Sequence, residues 1–296
     1  MPAEYRRFAR SCEPETASES GVITGACPVS LETKREYPDI IPTAGIVWPV
    51  MEMKMANWND PNMAASGFPG SASAMDQAVD AGLRSYMLSV YNYMGSGVLL
   101  TGIVAMLAYS TGFTLSLIGS PLMWVVMLAP LAFVMVLSFG INKLSTTAAQ
   151  MLFWAYAAVM GLSMSTIFLA FTQTSIAQTF FATAAAFLGL SLYGYTTKKD
   201  LSGFGTFLIM GVVGILVAML INFFLQSSAL AMAISVIGVL LFAGLTAYDT
   251  QKIKSMYFYV RGTDFVGKSV IMGALTLYLD FVNMFTFLLN LLGSRD

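Results

Sequence analysis

Long apolar segments follow one another along the chain from about residue 85 to residue 292. Each reaches the ~17 to 25 residues that a helix needs to cross a bilayer. Helices are predicted because lipid offers backbone groups no hydrogen-bond partner, and the short alternating segments of a β-barrel are absent. The pattern predicts an all-α integral membrane protein with seven transmembrane helices, at 85–109, 122–141, 149–171, 176–195, 205–225, 229–248 and 269–292.

The segment before the first helix has a different composition. Residues 1–76 mix Pro, Ser, Glu and Gly without apolar periodicity, and such a segment cannot bury enough surface to offset the entropy of ordering. We predict a disordered N-terminal tail over 1–76 and a membrane domain over 77–296. Several methionines between 51 and 55 precede a short polar lead into the first helix, so residues 1–54 are expected to reflect a translation start assigned too early.

Composition restricts the function classes. The chain is 57% hydrophobic and 10% charged, whereas soluble domains average about a quarter charged residues. The net charge of -1 provides no basic field for nucleic acid, so the lipid bilayer is the expected environment. The chain has no His, and its two Cys lie in the tail. With no metal-ligand cluster and no phosphate or nucleophile motif, we expect neither an enzyme nor a cofactor.

The orientation is predicted from the loops. Lys143 follows the second predicted span, Lys198 and Lys199 follow the fourth, and a basic segment beginning at Lys252 follows the sixth. The loops after the first, third and fifth spans contain neither Lys nor Arg. Because basic loops stay on the cytoplasmic side, we expect a cytoplasmic N-terminus and an external C-terminus.

Two carboxylates lie within the apolar segments, Asp249 at the end of the sixth and Asp280 inside the seventh. A charged Asp at the bilayer centre costs ~2.5 to 3.5 kcal/mol on insertion scales, so it is expected to face the bundle interior, a cavity or a partner. Consecutive spans are antiparallel, which makes the two carboxylates candidate neighbours. The alternative is that each one only caps or hydrogen-bonds a nearby backbone group or hydroxyl.

If the carboxylates meet, burial and like-charge repulsion disfavour the doubly ionised pair. The pair would then share one proton near neutral pH and hold the last two spans together. Loss of that proton would separate the spans or create a transient site for a hard cation such as Ca²⁺, which prefers oxygen ligands. An aspartyl protease also uses two carboxylates, but the glycines that would allow backbone and substrate to approach are missing here.

Other polar residues are candidates for support of this pair. Thr246, Thr250 and Asn283 are placed to hydrogen-bond near it, although interhelical hydrogen bonding explains such residues equally well. Lys143 is a candidate charge partner, and its alternative role is to set the membrane topology.

The motifs around the two aspartates resemble the Bax inhibitor-1 family, also called the transmembrane Bax inhibitor motif family. They are Gly244–Gln251 (GLTAYDTQ) and Gly273–Asn283 (GALTLYLDFVN), with further likeness at Tyr195–Leu201 (YTTKKDL) and Asp80–Tyr86 (DAGLRSY). The likeness covers about residues 76–293 and suggests a bacterial member that lies in the inner (plasma) membrane.

The resemblance implies a seven-helix bundle with the last helix near its centre. It also implies a pH-sensitive calcium leak whose di-aspartyl sensor maps onto Asp249 and Asp280. Relatives add a basic residue of the second span, for which Lys143 is the nearest match. The alternative function is a non-conducting adaptor that regulates another membrane protein, such as a protease or a cell-death or stress factor. A proton-coupled carrier would be expected to contain an inverted repeat, which the sequence does not display.

Overall fold

A computed structural model describes residues 69–294, with side-chain detail from residue 77. Within this range the backbone forms helices joined by turns, and no strand. The helices are α1 (Pro69–Ser110), α2 (Phe113–Leu117), α3 (Leu122–Gly140), α4 (Thr146–Met164), α5 (Ile167–Ala170), α6 (Gln173–Thr196), α7 (Ser202–Leu225), α8 (Ser228–Val260) and α9 (Val266–Leu292). The prediction for residues 1–54, and most of the predicted tail, falls outside the described residues. Helix α1 begins at Pro69, before the predicted boundary at 77.

The predicted count of seven spans is confirmed. The structure contains 7 helices long and apolar enough to cross a membrane, with α4 and α5 together forming the third. The break in that span follows Met164, where the Ser165 hydroxyl donates to the Leu162 carbonyl at 2.7 Å. The Thr114 hydroxyl of the short helix α2 donates to the Ser165 hydroxyl at 2.9 Å. This bond ties the loop after α1 to the break.

Helix α9 occupies the interior of the bundle. In its most apolar window 72% of the residues are buried, against 6% to 33% in the other spans. Its neighbours are α8, α1, α6 and α4. Helices α3 and α7 lie at the periphery, and large apolar side chains such as Trp124, Phe139 and Phe223 point away from the protein. The arrangement is consistent with the predicted bundle around the last helix.

Helix α8 is longer than the sequence predicted, since it ends at Val260 rather than at residue 248. The prediction ended the span where its hydrophobicity falls, but polar contacts hold the continuation in place. The Gln251 side chain accepts from the Leu201 amide at 2.9 Å and donates to the Lys199 carbonyl at 2.8 Å. Lys254 donates to the Tyr195 carbonyl at 2.8 Å. Asp249 therefore lies inside a continuous helix.

The basic turns lie at one end of the bundle, which we call the lysine-rich end (turns 141–145, 197–201 and 261–265). Gln251 joins turn 197–201 to α8. A Cβ on Gly267, just after turn 261–265, would come within 2.8 Å of the Thr146 side chain, just after turn 141–145. The turns at the opposite end carry neither Lys nor Arg.

Helices α6 and α8 approach closely where Gly194 faces the backbone of Ala247. A side chain at Gly194 would overlap the Ala247 carbonyl group, and helical backbone cannot move aside as a flexible side chain does. Small residues at such crossings are how membrane helices gain close van der Waals contact. This contact fixes α8 two residues before Asp249.

We expect Gly194→Ala to destabilise the protein by about 1–3 kcal/mol, the usual range for overpacking a well-packed contact. Gly189→Ala is the matched control, because Gly189 lies in the same helix and its added Cβ would meet nothing within 4 Å. The measurement is the thermal midpoint of the purified protein in detergent, followed by tryptophan fluorescence. Equal midpoints for the two variants would contradict the close α6–α8 contact.

Candidate functional site

The structure brings Asp249 of α8 and Asp280 of α9 together inside the bundle. Asp249 is 8% exposed and Asp280 is 4% exposed. The two carboxyl groups lie close enough to interact directly with each other. The predicted neighbourhood of the two aspartates is therefore present in the fold.

The helical period explains why both carboxylates face inward. On α8 the buried positions Leu245, Thr246 and Ile253 stand three or four residues from Asp249, so they share its face. Gly273 on α9 lets the two helices approach, since a Cβ there would meet the Ile253 side chain at 3.2 Å. Two close-packed inward faces thus enclose the carboxyl groups.

The pair lacks a full set of hydrogen-bond donors. The Oδ2 atom of Asp280 is buried and has no hydrogen-bond partner within the described part of the chain. Two ionised carboxylates offer only acceptors, so a hydrogen bond between them requires that one carries a proton. A buried acid pair of this kind is favourable with one shared proton and repulsive without it. The arrangement can therefore hold or release a proton as a unit.

The three predicted supporting residues have different surroundings. The Thr250 and Ser191 hydroxyls are hydrogen-bonded at 2.9 Å, and Ser191 also bonds the Tyr91 hydroxyl. Thr246 donates to the Phe242 carbonyl of its own helix at 2.8 Å, and the Asn283 side chain donates to the Leu279 carbonyl at 2.8 Å. Of the three, Thr250 alone links α8 to other helices by a described side-chain bond. The sequence pointed to Thr250 but not to its partners.

The cation that acts on Asp249 in this structure is Lys252. Lys143 is exposed in turn 141–145, and no ion pair forms among residues 77–294. Lys252 stands one turn after Asp249 on α8 and acts on it electrostatically. The sequence interpretation assigned Lys252 to a loop because it ended the sixth span too early. If the sixth span is extended past residue 248, the three-residue spacing places Lys252 on the same face of the helix as Asp249.

A cavity of about 260 Å³ reaches Asp249 from the lysine-rich end. It opens among α1, α8 and α9, and its lining includes Tyr86, Lys252, Ser269 and Thr276 beside Asp249. A cavity of this size, with hydroxyl and charged groups among its lining, can hold several water molecules. Asp249 is therefore buried from lipid but reachable from one side of the protein.

Oxygen ligands are few at this site. In the described residues no group of three or more His, Cys, Asp or Glu side chains could hold a metal ion. Two carboxylates suit a cation that passes or binds weakly, since stable calcium sites use six to eight oxygens.

Outside the spans, hydrogen bonds from the Ser202 hydroxyl and amide hold the pKa of exposed Asp200 below its usual range. Asp200 is thus ionised near neutral pH and is no sensor there.

The pattern of the family described as "Inhibitor of apoptosis-promoting Bax1" matches residues 83–296, which include both aspartate motifs. The chain belongs to the Bax inhibitor-1 family. This confirms the resemblance of the Gly244–Gln251 and Gly273–Asn283 motifs and establishes a multi-pass integral membrane protein.

Several bacterial proteins are similar over most of their length. The inner membrane protein YbhL of Escherichia coli K12 is 48% identical over 232 residues, covering 77% of this chain and 98% of YbhL. The protein RP147 of Rickettsia prowazekii is 44% identical over 236 residues, covering 76% of this chain and 96% of RP147. YrjE of Lactococcus lactis is 39% identical over 221 residues, covering 74% and 94%. The shared part of this Bax inhibitor-1 family chain is its membrane domain.

The close contact of two buried carboxyl groups predicts a pH-dependent stability. If the folded pair keeps a proton that the unfolded chain releases, the folded protein loses stability as the pH rises. The loss in the free energy of unfolding is at most about 1.4 kcal/mol per pH unit. Asp249→Asn removes one charge, so its thermal midpoint should fall less between pH 6 and pH 8 than that of the wild type. Asp200→Asn is the control, because Asp200 stays ionised across this range. Parallel pH profiles for wild type and Asp249→Asn would argue against a shared proton.

Proposed function

We propose that this Bax inhibitor-1 family protein is a pH-sensitive leak for Ca²⁺, gated by the protonation of Asp249 and Asp280. The observation that carries the proposal is the contact between two buried carboxyl groups on adjacent membrane helices. No other acidic pair lies inside the described spans. Both residues stand in the motifs that define the likeness to the family.

The proposed gate works through the α8–α9 contact. With one shared proton, the pair holds the two helices together and the interior stays closed. When the proton leaves through the cavity at the lysine-rich end, two negative charges face each other in a low-dielectric site and repel strongly. The helices then separate, or a hard cation enters to balance the charge. Either response couples proton loss to cation entry.

Calcium flux into dye-loaded proteoliposomes tests the proposal. We expect protein-dependent flux that rises from pH 6 to pH 8, by no more than about tenfold per pH unit for one titrating proton. In Asp249→Asn and Asp280→Asn the flux should stay at one level across the same range, because neither variant retains the carboxyl pair.

The matched control for flux is Asp264→Asn. Asp264 is an exposed acid in turn 261–265, so its substitution should leave the pH dependence intact. A wild-type flux equal to that of empty liposomes at every pH would rule out the leak. That outcome would favour the alternative of a non-conducting adaptor that regulates another membrane protein, such as a protease or a stress factor. The large uncovered face of α3, only 6% buried, is the observation that favours this alternative.

We also propose that the protein lies in the inner membrane of a bacterium, as the name of the inner membrane protein YbhL states for that relative. In this orientation the lysine-rich end faces the cytoplasm. The basis is that basic turns are retained on the cytoplasmic side. A C-terminal alkaline phosphatase fusion should then be active, and a C-terminal green fluorescent protein fusion should be dark. The matched control fuses each reporter after turn 197–201, where the outcome should reverse. A fluorescent C-terminal fusion would overturn this orientation.

A further inference from the structure

A second cavity opens at the lysine-rich end, between α1 and α6. It has a volume of about 400 Å³ and is distinct from the cavity that contains Asp249. Its walls come from one face of α1 (Arg84, Met87, Leu88 and Tyr91) and one face of α6 (Leu188, Ser191, Leu192 and Tyr195). We call this cavity the α1–α6 groove.

The α1–α6 groove has a polarity gradient along its length. Helix α1 runs inward from the lysine-rich end and α6 runs toward it, so Arg84 and Tyr195 lie at the mouth. Tyr91 lies seven positions further along α1 than Arg84, about 10 Å deeper at 1.5 Å per residue. Between these levels the open sides are apolar, since Leu88, Leu188 and Leu192 are all more than half exposed. The groove is charged at the membrane surface and apolar below it.

The charge at the mouth is available for a ligand. Arg84 is exposed and forms no hydrogen bond or ion pair among residues 77–294, although Asp80 stands one helical turn before it. A second cation stands close by, because Lys254 binds the Tyr195 carbonyl and lies 4.8 Å from the centre of the Tyr195 ring. Guanidinium groups match the geometry of phosphate oxygens by offering paired donors.

We propose that the α1–α6 groove binds one anionic phospholipid of the surrounding bilayer. Arg84 holds the headgroup phosphate, with Lys254 adding positive charge nearby, and an acyl chain lies against Leu88, Leu188 and Leu192. The occupant is a membrane lipid because the groove opens sideways through exposed apolar side chains and carries its charge at one end only. Basic pockets between membrane helices are a recognised mode of anionic lipid binding.

The floor of the groove connects this lipid to the bundle interior. Tyr91 and Ser191 form the floor and are hydrogen-bonded to each other, and Ser191 continues to Thr250 on α8. An acyl chain in the groove therefore packs over the bonds that join α1, α6 and α8. This lipid site stands on its own contacts and does not depend on the proposed calcium leak.

The test is a lipid titration of the purified full chain by native mass spectrometry. The probes are palmitoyl-oleoyl phosphatidylglycerol and the phosphatidylcholine with the same chains. We expect one saturable lipid per protein, with phosphatidylglycerol bound at least about fivefold more tightly, the preference that one nearby cation gives. In Arg84→Gln this preference should fall about fivefold, because only the Lys254 charge remains.

Two further variants make the test specific. Arg261→Gln removes an exposed cation at the same end but outside the groove, so the lipid preference should remain. Leu188→Trp adds bulk to the exposed groove wall and should weaken both lipids equally. All variants must elute as single species with wild-type thermal midpoints. Equal binding of both lipids to the wild type would overturn the site. So would a preference that is unchanged in Arg84→Gln, or one that falls equally in Arg261→Gln.

Discussion

An ionisable side chain in the hydrocarbon of a bilayer must be covered by protein, and this requirement organises the bundle. Asp280 lies deep in α9, so that helix cannot face lipid. Helices α1, α4, α6 and α8 accordingly surround it, while α3 and α7 remain peripheral. Among the described spans, the most buried helix is thus the one that carries a carboxylate in mid-span.

The second carboxylate follows from the same requirement. Asp249 would be exposed if α8 ended where its hydrophobicity falls, but the helix continues to Val260 and is held by Gln251 and Lys254. These two side chains bind backbone carbonyl and amide groups at the end of α6 and in turn 197–201. Polar contacts at the lysine-rich end therefore keep Asp249 opposite Asp280. Both acids gain burial, and Asp249 also lies near Lys252.

Packing around the pair relies on small side chains rather than on the hydrophobic effect, since lipid tails are as apolar as the helices themselves. Gly194 brings α6 against Ala247, and Gly273 brings α9 against Ile253. Close backbone approach increases the number of van der Waals contacts, each of which is weak alone. The same approach leaves little space around the carboxyl groups, except for the cavity that opens at the lysine-rich end.

The amino-acid sequence by itself determined the class of protein, the seven spans and the two candidate aspartates. Apolar length and the cost of a buried charge are local properties that single residues and segments carry. The true end of α8, the role of Lys252 beside Asp249, and the link from Thr250 through Ser191 to Tyr91 were decided only by the tertiary structure. These features depend on side chains from helices far apart in the chain, whose register is set by packing and is not encoded in any one segment.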